Sequence, residues 1–182
     1  MKKNELHPEI FTLEPFLSKQ ECDQWIKKMS DFHFEESLIQ SGGKQVMNKA
    51  VRNNERYLFF DQDLADVLWN RLQPYFPKKI DQAHPIGLNE MLRIYKYVKG
   101  QRFKMHKDGS YKRNNKEFSL YSLIIFLNTN FEGGETAFRK LFSVSPEHGK
   151  ALLFQHRLRH EGQEVSEGVK YVLRTDVMFK LR

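Results

Sequence analysis

From about residue 88 to the carboxy terminus, the apolar residues come in short runs rich in Ile, Val, Phe and Tyr, with turn residues between the runs. This pattern does not make long amphipathic helices. It makes strand after strand, which a barrel or sandwich can bury. The runs predict strands over 91–98, 102–106, 118–127, 136–138, 142–144, 150–154 and 171–179, with turns at Lys99-Gly100, Gly133-Gly134 and 146–149. The first half reads differently. Ser18 followed by Glu21 makes a capping box, and Cys22, Ile26 and Met29 recur at helical spacing, so a helix is predicted over 19–30. After Asp61, the stripe Leu64, Val67, Leu68 and Leu72 predicts a second helix that Pro74 and Pro77 stop. The expected architecture is α+β, a β-rich carboxy half with amino-terminal helices covering one sheet from outside.

A chain of 182 residues with 15 phenylalanines can bury one substantial core, and no repeat or linker divides it. One domain over 1–182 is expected, with 1–87 as helical support and 88–182 as the β-core. Lys and Arg number 30 against 23 Asp and Glu, a net charge of +7. The basic pairs Lys27-Lys28, Lys78-Lys79 and Arg139-Lys140 are scattered, so no nucleic-acid partner is expected. Cys22 stands alone, which excludes an internal disulfide and a multi-thiolate zinc site and suits a cytoplasmic location. No apolar run follows the charged start, and residues 120–127 are too few to span a bilayer, so neither a secretory signal nor a membrane role is expected.

The residues that carry chemistry begin at His106-Lys107-Asp108. On a strand, positions i and i+2 share a face, so His106 and Asp108 can bind one ion while Lys107 points away. A second histidine, His160, ends a later apolar run before a turn-like Glu161-Gly162. Two imidazoles and a carboxylate on one side of an ion are the ligand set of non-haem iron(II) oxygenases, and zinc also accepts them. Beyond it, Lys170, Val172 and Arg174 share one strand face. If that face is inward, its cations need an anion. A dicarboxylate would chelate the metal with one end and pair with Lys170 or Arg174 at the other. If it is outward, they are merely solvated.

The ordered set Tyr97-x-x-Gly100-x-x-Phe103-x-x-His106-x-Asp108, Phe126-Leu127-Asn128, Gly133-Gly134-Glu135-Thr136-x-Phe138, Pro146-x-x-Gly149, His160 and Gly168-x-Lys170-Tyr171 resembles the prolyl 4-hydroxylase-like branch of the iron(II)/2-oxoglutarate-dependent dioxygenases. The likeness is dense over 88–182. It implies a double-stranded β-helix, or jelly roll, with Fe(II) on His106, Asp108 and His160. It implies 2-oxoglutarate with its far carboxylate on Lys170, Arg174 being the rival anchor, and Tyr97 lining the co-substrate pocket. O2 would be the second co-substrate and ascorbate the reductant. The implied reaction hydroxylates an aliphatic C–H of a prolyl or other peptidyl residue and releases succinate and CO2, with a free amino acid or other small molecule as alternative substrates. A nucleic-acid demethylase of the same superfamily and a metal-binding barrel without turnover are the competing readings.

Phe126 departs from the pattern, since some relatives place a tyrosine there to help hold the far carboxylate; Arg174 and Ser122 are the candidates to replace its hydroxyl. His156 is the rival of His160, which is preferred for its Glu161-Gly162 turn and its spacing to Lys170. Arg93 and Tyr95 share the parity of Tyr97 and are expected at the pocket mouth. Residues 108–117 read as a mobile loop able to act as a substrate lid.

Overall fold

The computed structural model describes residues 1–41 and 44–181. Strands β1 (Lys2–His7) and β2 (Ile10–Glu14) come first, then helix α1 (Lys19–Lys28). Strands β3 (Glu35–Glu36), β4 (Ile39–Ser41), β5 (Lys44–Val46) and β6 (Glu55–Phe60) precede helix α2 (Gln62–Leu72). Next are β7 (Ala83–Leu88), β8 (Met91–Val98), β9 (Phe103–His106), β10 (Glu117–Phe126), β11 (Phe131–Gly133) and β12 (Thr136–Phe138). The chain ends in β13 (Ser143–Val144), β14 (Ala151–Gln155), β15 (His160–Gly162) and β16 (Val165–Leu181).

A large antiparallel sheet runs in the order β1-β2-β14-β10-β16-β8-β6-β3, with β7 and β11 paired to the two ends of the long β16. A small sheet, β13-β12-β15-β9, packs over one face of it: Phe138 meets Phe154 edge-on, with ring centroids 5.2 Å apart. This is the double-stranded β-helix that the sequence implied.

The central strands β14 and β10 are buried on both faces, which explains why they read as nearly continuous apolar runs rather than alternating ones. Along β14, Leu152 and Phe154 enter the core between the sheets, while Ala151 and Leu153 face the helices. In β8, Tyr95 and Tyr97 point inward, and Leu92 and Ile94 join Cys22, Leu68 and Leu72 on the outer side. The helices therefore cover the sheet from outside, as expected. Ser18 caps α1 through its side chain, accepting from the Glu21 amide at 3.2 Å, while Glu21 accepts from the Ser18 amide at 2.8 Å. Asp61 caps α2 by accepting from the Leu64 amide at 2.9 Å. No helix among the described residues is long and apolar enough to cross a membrane.

Three expectations need correction. Residues 1–87 are more than helical support, because β1, β2, β6 and β7 extend the large sheet. The physical reason is the open edge of β14, whose backbone groups β2 satisfies while burying Ile10, Phe11, Thr12 and Leu13. Helix α1 ends at Lys28 and tightens into a 3-10 turn at Met29–Asp31. The turn expected after His160 is strand β15, held on both sides by β9 and β12.

Candidate active site

His106 closes β9 and His160 opens β15, and register places them directly opposite each other. Their ring centroids are 4.3 Å apart. Each ring is oriented the same way by its own strand: His106 Nδ1 lies 2.7 Å from the Lys104 carbonyl and His160 Nδ1 3.0 Å from the Leu158 carbonyl. A carbonyl only accepts, so each Nδ1 carries a proton and Nε2 is the nitrogen turned to the site.

Asp108 lies two residues past the end of β9, and its amide donates to the His156 carbonyl at 3.2 Å. Its carboxylate oxygens lie 3.5 Å from His106 Nε2 and 3.6 Å from His160 Nε2. One donor atom from each of the three residues falls within 4.8 Å of the others. Burial pushes the His160 imidazole down to about 4, which keeps it in the neutral form a metal requires. Burial works against the charge of Asp108 as well, but Arg174 and the two imidazoles outweigh it and hold the carboxyl well below the usual carboxylate range. Two imidazoles and a carboxylate with converging donor atoms can hold a divalent cation and leave coordination positions open.

Two side chains of the large sheet fix the Asp108 carboxylate. Ser122 Oγ donates to Oδ2 at 2.5 Å, and Arg174 Nη2 lies 3.0 Å from the same oxygen. Arg174 also reaches Asp176 at 3.3 Å and donates to Ser122 Oγ at 3.2 Å. Ser122 and Arg174, the candidates to replace the hydroxyl that Phe126 lacks, are thus both engaged with Asp108. His156 belongs to this outer network, with Nε2 3.5 Å from Asp176, and it is not among the converging donors.

Lys170, Val172 and Arg174 do face inward, and all three line one cavity with Tyr97, Thr136 and the three converging residues. Lys170 is 3% exposed, and its Nζ donates to the Gly134 carbonyl at 2.5 Å. The ammonium sits over the rings of Tyr97 and Phe126, 5.2 and 5.5 Å from their centroids. Among the described residues, no carboxylate lies within ion-pair distance of it. Burial draws the amine down to about 8, with Glu135 partly opposing. Burial also raises the Tyr97 phenol to about 12, so it is a neutral hydrogen-bonding group.

A wider groove adjoins this cavity and shares Tyr95, Phe103, His106, Asp108 and Arg174 with it. Arg93 and Tyr95 line the groove as expected, joined by Gly109, Ser110 and Tyr111. The segment read as a lid is strapped to β10. Ser110 donates to the Ser119 carbonyl at 2.6 Å, the Tyr111 amide donates to Ser119 Oγ at 2.8 Å, and Arg113 pairs with Glu90 and Glu117. Sequence reasoning missed Arg52, which lines the groove from a segment without a motif, and gave Thr136 no site role although it stands in a quoted motif.

Residues 92–175, which contain the whole cluster, match the sequence model of the 2OG-Fe(II) oxygenase superfamily. A probable prolyl 4-hydroxylase of Arabidopsis thaliana is 25% identical over an alignment of 174 positions, covering 81% of this chain and 52% of that protein. The chain thus spans about half the length of that curated relative. Among solved structures, a viral collagen prolyl hydroxylase from Paramecium bursaria Chlorella virus-1 superposes with a TM-score of 0.64 at 21% identity, over 95% of this chain and 97% of that one. A prolyl hydroxylase from Trichoplax adhaerens, solved with a hypoxia-inducible-factor peptide fragment, gives a TM-score of 0.72 at 15% identity, over 93% and 83%.

Proposed function

We propose that this protein is an Fe(II)- and 2-oxoglutarate-dependent dioxygenase that hydroxylates an aliphatic C–H of a prolyl or other peptidyl residue, a reading supported by the match of residues 92–175 to the 2OG-Fe(II) oxygenase sequence model. The donor set fits Fe(II): two imidazoles turned to the site through Nε2, and one ionised carboxylate. Bound there with 2-oxoglutarate, the metal supplies O2 activation, coupling conversion of the diacid to succinate and CO2 with delivery of one oxygen atom to the substrate.

The observation that carries this reading is Lys170, a buried cation without a carboxylate partner, in the same cavity as the triad. Burying an unpaired charge costs several kcal/mol, and a dicarboxylate co-substrate supplies the missing anion. Arg174 is already shared between Asp108 and Asp176, so Lys170 is the anchor of the far carboxylate. Ser122 and Arg174 orient the Asp108 carboxylate toward the metal. Phe103 stacks on His106 at 3.4 Å between centroids, tilted by 16°, and shields that ligand from water. Tyr97 offers its phenol as a donor to the bound diacid.

The peptide complex of the Trichoplax adhaerens enzyme supports a peptidyl substrate. The test is turnover of proline-containing peptides with Fe(II), 2-oxoglutarate and ascorbate. The expected result is succinate formed together with a peptide heavier by one oxygen atom. Succinate without any oxygenated peptide, amino acid or oligonucleotide would refute the hydroxylase reading.

A further inference from the structure

Two buried cations near the triad lack a carboxylate partner among the described residues. One is Lys170; the other is Arg52, which is 5% exposed. They open onto different spaces. Lys170 lines the inner cavity, whereas Arg52 lines the adjoining groove, and the two spaces meet at His106 and Asp108. If Lys170 takes the co-substrate, Arg52 remains without a carboxylate partner among the described residues.

Arg52 is held as a receptor would be held. Its Nε donates to Asn54 Oδ1 at 2.7 Å, and Asn54 is itself buried and donates to the Glu55 carbonyl at 2.8 Å. The guanidinium is clamped between two aromatic rings, 4.5 Å from the Tyr95 centroid and 4.3 Å from that of Phe103. Phe103 in turn stacks on His106, so a single ring separates the guanidinium from a metal ligand. Its Nη1 donates to the Leu38 carbonyl at 3.5 Å, and among the described residues its buried Nη2 has no acceptor at hydrogen-bond geometry. The neighbouring Arg174 and Arg93 differ from Arg52 in having carboxylates beside them: Arg174 pairs with Asp108 and Asp176, and Arg93 lies 3.6 Å from Asp176. Burial alone would raise the Tyr95 phenol, but Arg52, Arg174 and Arg93 together bring it down to about 7, a sign that this groove favours negative charge.

We propose that Arg52 receives a carboxylate of the substrate, so that the oxidised residue is presented with an acidic group beside it. This rests on the oxygenase reading and names its substrate class. A planar guanidinium fixed between two rings matches a planar carboxylate by paired N–H···O bonds. The carboxylate comes either from an acidic neighbouring side chain or from the carboxy terminus of the substrate.

The test uses blocked peptides of equal length with a central proline, in matched pairs: Glu or Gln next to the proline, and a free or amidated carboxy terminus. Affinities for the full chain in the presence of 2-oxoglutarate are measured by isothermal titration. At least one carboxylate form should bind about tenfold or more tightly than its neutral partner. Arg52→Met should erase that difference by weakening only the carboxylate form. Equal affinities within both pairs for the unaltered chain, or a preference that persists in Arg52→Met, would overturn the assignment. Tighter binding of a single-stranded oligonucleotide than of any peptide would overturn it as well. The comparison on the unaltered chain requires no variant to fold. Binding is also independent of turnover: selective binding without succinate sinks only the oxygenase reading, and turnover without selectivity sinks only Arg52.

Discussion

Arg174 Nη2 lies 3.0 Å from Asp108 Oδ2 and 3.3 Å from Asp176 Oδ1, so one buried guanidinium is shared between the carboxylate of the His106–Asp108–His160 cluster and a second carboxylate behind it. Among the described residues, removing it leaves Asp108 without an arginine partner and Asp176 with Arg93 as its remaining arginine, at 3.6 Å. Arg174→Met should destabilise the metal-free protein by about 3–5 kcal/mol. A divalent cation at the triad replaces the lost positive charge, so metal should raise the melting temperature more in the variant than in the original chain. Equal shifts in thermal melts would show that Arg174 does not compensate Asp108.

The two inward cations of β16 have different tasks. Lys170→Met should weaken 2-oxoglutarate binding by roughly 10- to 100-fold, the loss of one charge-assisted contact. Arg174→Met should weaken it less. Calorimetric titration of both variants decides, and the reverse order would make Arg174 the anchor.

Lys170 also has a pH signature. Its amine is lowered from 10.5 to about 8 in the folded chain. Between those values the unfolded chain holds a proton that the folded chain has released, so the Lys170 contribution makes stability rise with pH across that window. Denaturant titrations at pH 8 and pH 10 should show a rise that is smaller in Lys170→Met. Binding of the diacid should weaken above about pH 8, where the folded amine is neutral. An equal rise in the variant would remove Lys170 as its source.

Gly149 joins the sheet to the approach of α1. Its φ is +72°, its carbonyl accepts from the Phe16 and Leu17 amides at 2.9 and 3.0 Å, and an added Cβ would sit 1.9 Å from the Leu17 carbonyl oxygen. Backbone would have to move. Gly149→Ala should therefore cost about 2 kcal/mol or more, measured by denaturant unfolding, and a loss within about 0.5 kcal/mol would mean that this junction is pliable.

The site was legible where chemistry and strand parity act on neighbouring residues. Lys170 and Arg174 differ by four on one strand, so their shared face follows from the chain itself, whereas His106 and Asp108 are two apart but Asp108 lies beyond the end of β9, so strand parity alone does not bring them together. Parity could say that Ser122 points inward, but not that its partner is Asp108. Strand β15 has three residues, too few for any period to register; its existence depends on β9 and β12 lying either side. The same holds for β2, whose strand state is completed by the edge of β14 far along the chain. Arg52 carried no local signal at all. Its role depends on an isolated bridge to Phe103 and on a ring from another strand.

The most direct measurement is anaerobic titration of the purified chain with Fe(II) and 2-oxoglutarate, followed by visible absorption. The account expects a weak metal-to-ligand charge-transfer band that saturates at one iron and one diacid per chain and is lost in His106→Ala. No band in the unaltered chain, or an undiminished band in His106→Ala, would contradict it.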